Sequence, residues 1–256
     1  MCHAALTVCF ARPQVLLKHV AKPGSGPTYA EPMCGRYVLR SAPRRIREQF
    51  GIPDEPGWTE RWTPRFNLAP QQDAPIVRVV DGTRHLDLLH WGLVPFWADD
   101  PGIGNRLINA RSETAPDKPA FRAAFKSRRC IVPADGFYEW QQRPAGKQPF
   151  YIHRQDGALL AMAGLWEHWT SPAGAVLQSF TILTTEANAA MRALHDRMPV
   201  ILRGADVESW LDPGSKPDAL RGLLRPLGDG ELEAYPVSKA VGNVRNDRPE
   251  LLAPLP

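Results

Sequence analysis

The sequence predicts an α+β fold, a single β-rich domain of short antiparallel strands with helices at its periphery. Three observations predict it. Stretches rich in Val, Ile, Leu, Tyr and Phe recur along the chain, each short and bounded by turn residues. Asp-Gly pairs at Asp81-Gly82 and Asp156-Gly157 interrupt two of these stretches as tight turns do. The chain carries 26 prolines in 256 residues, which argues against long uninterrupted helices.

Taken in order, "CGRYVLR" carries Tyr, Val and Leu in a strand-like pattern. "APRRIREQFGI" places Ile46 and Phe50 one helical turn apart and stops at Gly51, which predicts a short helix. "APIVRVVDGTRHLDLLHWGLVP" predicts a hairpin turned at Asp81-Gly82. "PAFRAAFKSRR" predicts a second short helix. "CIVPADGFYEWQ" and "QPFYIHRQDGALLAMAGLWEHW" read as strands, the latter with a turn at Asp156-Gly157. "SFTILTTEA" reads as a strand running into a helix at "NAAMRAL". "MPVIL" is a short strand and "ADVESWL" a helix after it. No internal repeat is visible.

Composition excludes several classes. Hydrophobic residues make up 43% and charged residues 23%, a globular balance and not a disordered one. No apolar run approaches the roughly 18–20 residues of a membrane-spanning helix. The four cysteines, Cys2, Cys9, Cys34 and Cys130, are too scattered for a disulfide framework, so a reducing, cytoplasmic setting is expected. The net charge of +4 permits an anionic partner without demanding one. Cys2, His3 and Cys9 lack a second pair at ligand spacing, so no metal site is expected.

Residues 1–32 differ from the remainder. They carry Arg12, Lys18 and Lys22, no acid before Glu31, and a Pro/Gly/Ser-rich end. As a targeting sequence the segment lacks an early charged region and a clear cleavage motif. It reads as a leader, either a disordered tail or the product of a start codon assigned too far upstream, with the domain spanning 33–256.

Several polar residues stand out within the strand pattern. Taken singly, each has a bland reading. Asn109, in "LINARSET", suits a turn or cap. Glu139, in "GFYEW", belongs on a solvent-facing strand surface if neighbours alternate. His195, in "LHDRMPV", suits a surface charge network. Cys34 is by itself a packed thiol.

The ordered set of motifs alters this. "MCGRY", "RFNLAP", "HWGLVPFWA", "INARSET", "RCIVPADGFYEW", "PFYIH", "LHDRMPVIL" and "PVSKAVGNVRND" together resemble the SOS-response-associated peptidase (SRAP) family of abasic-site processing proteins. The resemblance runs from Met33 to about Leu252. It implies a covalent thiazolidine between an N-terminal cysteine, here Cys34, and the ring-opened aldehyde of an abasic site in single-stranded DNA. It further implies catalytic roles for Asn109, Glu139 and His195, DNA contacts from Arg36 and Arg111, and a wedge of Pro70 and Trp97. Lyase, crosslink-reversal and self-cleaving peptidase activities come with the family. No cofactor is implied. A monomer associated with the nucleoid is expected. Family members often carry a second Trp after the one matching Trp97; Ala98 stands there in this chain.

The chemistry accounts for these residue types. A thiazolidine needs an amine and a thiol on adjacent carbons, which only an N-terminal cysteine supplies. An internal Cys34 has an amide nitrogen and cannot form an imine, so the working chain would begin at Cys34. The α-amine, with a pKa of roughly 7.7–8, is partly neutral near pH 7. Glu139 would move protons during imine formation, and His195 would open the closed sugar by protonating its ring oxygen. Asn109 donates and accepts at once, so it can hold amine and sugar in register. Arg36 and Arg111 would meet phosphates, and Trp97 would stack on a base. Two other classes stay open: a Cys–His thiol hydrolase using Cys34, His195 and Asn109, and a non-covalent binder of single-stranded or modified DNA.

Overall fold

Among the described residues, two β-sheets built from thirteen strands enclose the main core. The computed structural model describes residues 34–54 and 62–256. The leader expected over 1–32, and Met33, lie outside the described residues. The first sheet has the order β13 (Leu232–Pro236), β8 (Gly146–Arg154), β7 (Gly136–Arg143), β1 (Tyr37–Leu39), β2 (Arg65–Leu68). The second contains β3 (Asp73–Val80), β4 (Thr83–Trp91), β6 (Arg129–Ala134), β9 (Leu160–Thr170) and β10 (Val176–Glu186). Pairings β10–β4, β4–β3, β3–β6, β6–β9 and β9–β10 return to their starting strand, so these strands close a ring. Closure removes the free sheet edges that would otherwise invite aggregation. Short strands β5 (Asn109–Arg111), β11 (Arg197–Pro199) and β12 (Ile201–Leu202) add to its rim. Pairing is antiparallel except where β10 runs parallel to β4 and β5.

Local sequence accounts for several elements. In α1 (Pro43–Phe50) Pro43 opens the helix, Ile46 and Phe50 face the core, and Gly51 ends it at φ 60°. The β3–β4 turn is made by Asp81 and Gly82, both at positive φ (48° and 77°), which suits the twist of a two-residue hairpin. The helix expected at "PAFRAAFKSRR" is α2 (Arg122–Ser127), and "ADVESWL" forms α3 (Ala205–Leu211). A further helix, α4 (Pro217–Leu223), packs beside α3.

Two expectations are corrected. "CIVPADGFYEWQ" is two strands in different sheets, broken at Asp135. The Asp135 carboxylate accepts from Arg40 N (2.7 Å), Ser41 N (2.9 Å) and Ser41 Oγ (2.8 Å), so this break anchors the turn after β1. "NAAMRAL" is a single 3-10 turn, Met191–Ala193, because the chain must reverse at once to deliver β11 beside β10.

The inner face of the first sheet presents Tyr37, Phe137 and Ile152 to the second. Its outer face carries Val38, Tyr138 and Tyr151, covered by Val237, Val241 and Leu251 from the C-terminal segment. Cys130 is fully buried in the main core. Among the described residues no helix is long and apolar enough to cross a membrane.

Candidate active site

Cys34 lies just before β1 and is 1% exposed. Its backbone nitrogen donates to Glu139 Oε1 at 2.8 Å. The register explains this meeting. Tyr37 opposes Phe137 in an antiparallel pair, and Tyr138 N donates to Arg36 O at 3.0 Å. Walking back from Tyr37 to Cys34 therefore runs alongside the walk forward from Phe137 to Glu139.

Glu139 does not face solvent. It shares the inner face with Phe137, two residues earlier, and is 4% exposed. The alternation in "GFYEW" is real, but both faces of β7 are covered here, so alternation alone did not reveal which side was buried. Burial first, and the Glu139 charge second, hold the Cys34 thiol well above its ordinary pKa. The thiol is therefore protonated at rest, unlike the thiolate of a Cys–His protease pair.

Asn109 begins β5 and pairs in register with Ile182 of β10. It therefore shares the face of Phe180, two residues before Ile182. Phe180 stacks on Trp91 with centroids 6.2 Å apart, and Trp91 meets Tyr37 edge-on at 5.1 Å. Trp91 Nε1 also donates to Ile108 O at 2.9 Å, fixing the residue before Asn109. This aromatic chain turns the Asn109 face toward β1. Both Asn109 side-chain atoms, Nδ2 and Oδ1, are buried and have no hydrogen-bond partner among the described residues. A buried amide with neither end satisfied is costly, and a ligand able to accept and donate would relieve it.

His195 follows the 3-10 turn, its own N–H bonded to Met191 O at 3.0 Å. Gln141, two residues beyond Glu139 on the same strand face, donates to Ala193 O at 3.1 Å. That bond ties the His195 loop to the strand carrying Glu139. His195 Nδ1 lies 3.1 Å from Arg197 N and 2.8 Å from Asp196 Oδ1. One ring nitrogen cannot accept from the first and donate to the second at once. Which of the two Nδ1 serves therefore depends on the tautomer and charge of the ring. Arg197, in turn, grips Glu113 through two bonds of 2.8 Å.

The other predicted residues fall into distinct settings. Arg36 is half-buried, and burial lowers its pKa. Its Nη1 donates to Asn67 Oδ1 (3.3 Å) and Val241 O (3.0 Å), and Nη2 to Gly242 O (3.4 Å). Much of its donor capacity thus serves the C-terminal segment. Arg111 ends β5 in the open, paired in register with Thr184. Pro70 sits half-buried in the turn before β3, followed by Gln71 at φ 68°. Trp97 is 48% exposed and its Nε1 donates to Pro119 O at 3.4 Å. Phe96, which the motifs did not single out, is 57% exposed beside it. Their turn is fixed by Ala98 N to Pro95 O (2.9 Å) and Trp169 Nε1 to Ala98 O (2.6 Å). Trp97 borders an open hollow of about 620 Å³ with Asp99, Asn105 and Arg106.

Sequence reasoning also missed Asn67, which is fully buried. The signal was present in "RFNLAP": an amide inside an apolar strand needs partners there.

Known proteins bear on this arrangement. Residues 33–244 match the family described as SOS response associated peptidase (SRAP). The chain is 44% identical over 223 residues to the abasic site processing protein YoqW of Bacillus subtilis (strain 168), covering 86% of this chain and 99% of that one. It is 35% identical over 264 residues to the abasic site processing protein HMCES of Xenopus tropicalis, covering 86% of this chain and 78% of that one. A crystal structure of a Bacteroides thetaiotaomicron protein superposes with a TM-score of 0.79 at 25% identity, covering 87% of this chain and all of the other. The chain belongs to the SOS response associated peptidase (SRAP) family.

Proposed function

We propose that this protein processes abasic sites in single-stranded DNA by forming a covalent thiazolidine through Cys34. The observation that carries the reading is the bond between Cys34 N and the buried Glu139 carboxylate. A carboxylate held 2.8 Å from a backbone nitrogen is poised for proton transfer at that atom once the nitrogen is an amine. The working chain begins at Cys34, whether translation starts at Met33 or the residues before Cys34 are removed.

The reaction then proceeds as follows. His195 protonates the sugar ring oxygen, the bond from that oxygen to C1 breaks, and the C1 hydroxyl gives its proton to solvent, so the closed hemiacetal opens to the aldehyde. The Cys34 amine adds to the aldehyde carbon, and Glu139 moves the proton from nitrogen toward the departing hydroxyl, which leaves as water. The thiol adds across the resulting C=N bond: sulfur bonds to carbon, and its proton ends on nitrogen. The product equals protein plus DNA less one water. A resting protonated thiol suits this order, in which the amine attacks first. Asn109 Nδ2 and Oδ1 bind the sugar and the amine. Because proton transfer at nitrogen serves the reverse path too, Glu139 also promotes release of the adduct. Strand scission and removal of the leader belong to the same reading.

The test incubates protein beginning at Cys34 with an oligonucleotide carrying one abasic site. A denaturant-resistant species with the mass of both partners less one water is expected. Cys34→Ala abolishes it and Cys130→Ala keeps it. Non-covalent binding alone, or an adduct that survives Cys34→Ala, overturns the reading.

A further inference from the structure

The C-terminal motif "PVSKAVGNVRND" has no role in the chemistry above, yet it is tied closely to the site. Asn67 donates through Nδ2 to Val241 O (3.1 Å), Asn243 O (3.2 Å) and Asn246 O (2.8 Å), while its Oδ1 accepts from Arg36. Asp247 accepts from Arg65 Nε and from the backbone of Phe66 (2.5 Å) and Asn67 (3.0 Å). Asn246 Nδ2 closes the segment on itself through Ala240 O at 2.8 Å. The segment is thus a strap pinned to β2, with Val241 fully buried beneath it.

The outward side of this strap differs in kind. Its one acid, Asp247, is turned in toward β2, whereas Lys239 and Arg245 are exposed and make no ion pair among the described residues. Val244 stands 44% exposed at the tip beside Arg245. A Cβ added to Gly242 would meet nothing within 4 Å, so the space next to the carbonyl that receives Arg36 is open. Lys239, Gly242 and Arg245 are all exposed within seven residues of this strap, and Gly242 supplies the carbonyl that receives Arg36. Nothing on this outward side is acidic enough to favour a cationic partner, and its rigid backing removes the ordering cost of binding.

We propose that strap residues 239–245 form one wall of the single-strand groove, with Lys239 and Arg245 meeting DNA phosphates beside Arg36 and Asn67 acting as the positioning residue beneath. This rests on the DNA reading above. The strap would track the backbone and add affinity without reading bases.

The test measures binding of the full chain to an undamaged fluorescent oligonucleotide across a salt series. Lys239→Ala and Arg245→Ala should each lower the slope of log K against log salt by roughly 0.7, and the double variant by about twice that. Melting temperatures should hold, because both side chains are exposed. Lys216→Ala, which removes the same charge from the start of α4, is the control and should leave the slope unchanged. An unchanged slope in the double variant overturns the strap. An equal loss in Lys216→Ala overturns it too, since net charge would then explain the effect. Wild-type protein that binds no single strand overturns the DNA reading itself.

Discussion

Cys34 N and Glu139 Oε1 lie 2.8 Å apart although 105 residues separate them in sequence. The contact joins two elements of one sheet, and the sheet's register, set at Tyr37 and Phe137, maintains it. It places an acid where no solvent screens it and beside a thiol kept protonated by the same burial. Such an acid can act at the nitrogen without first activating the sulfur.

Glu139→Gln separates holding from proton transfer. The glutamine oxygen can still accept from the Cys34 nitrogen, so the fold and the position of the nucleophile should survive. The proton-transfer role is lost, which should slow crosslinking by about 10²–10⁴-fold. Release of a preformed adduct should slow alongside it. Single-turnover rates in both directions check this. A variant slowed in only one direction would remove Glu139 from the shared proton-transfer step.

The two arginines assigned to DNA should behave differently from one another. Arg111 is exposed, so Arg111→Ala should change stability by no more than about 0.5 kcal/mol while reducing the salt slope of binding by roughly 0.7. Arg36 holds two carbonyls and Asn67, so Arg36→Ala should also cost about 1–3 kcal/mol of stability by leaving them unpaired. Thermal melts beside salt titrations decide. Equal stability in both variants would show that the Arg36 bonds to the strap contribute nothing.

Particular residues show what the sequence could convey. Asp81-Gly82 announced its hairpin because only a few residues tolerate positive φ at both turn positions. Ile46, Phe50 and Gly51 announced α1 through spacing and a stop signal. The division of "CIVPADGFYEWQ" between two sheets was not legible, because a strand looks alike locally whichever sheet receives it. Nor was the ring closure through β9 and β10, which depends on pairing between distant segments. Glu139 was selected by its motif, yet its burial was not legible from alternation, because the C-terminal segment covers the outer face of β7 as well. Asn109 was likewise selected by its motif, while its two unpartnered atoms emerge only from packing.

Buried titrating groups give the fold a defined alkaline weakness. Burial raises the pKa of Cys34, Cys130, Tyr37, Tyr138 and Tyr151 above their unfolded values. Below the unfolded pKa values, about 8.5 for Cys and 10 for Tyr, both states keep these protons and the stability is fully present. As pH rises past those values the unfolded chain loses protons that the folded chain retains. Stability should then fall by up to about 1.4 kcal/mol per pH unit for each fully titrating group. Melts from pH 8 to pH 11 should show this decline, and Cys130→Ala should shallow its onset between pH 9 and pH 10. A flat profile would mean that these groups ionise equally in both states.

The division of labour proposed for Glu139 and His195 allows the sharpest kinetic test. Gln141 ties the His195 loop to β7, and the ring's Nδ1 lies beside the Arg197 backbone N–H and the Asp196 carboxylate. That setting suits proton delivery to a sugar oxygen. Glu139 instead faces the Cys34 nitrogen. A natural abasic site must open its sugar ring before any amine can attack, whereas a simple aldehyde has no ring to open. His195→Ala should therefore slow crosslinking to the abasic site by about 10²-fold or more and change the reaction with a simple aldehyde far less. Glu139→Gln should slow both. Rates for each variant on both substrates, at several pH values, make the comparison. If His195→Ala slows the simple aldehyde as much as the abasic site, His195 acts on the amine or the thiol, and the Cys–His hydrolase reading regains its standing.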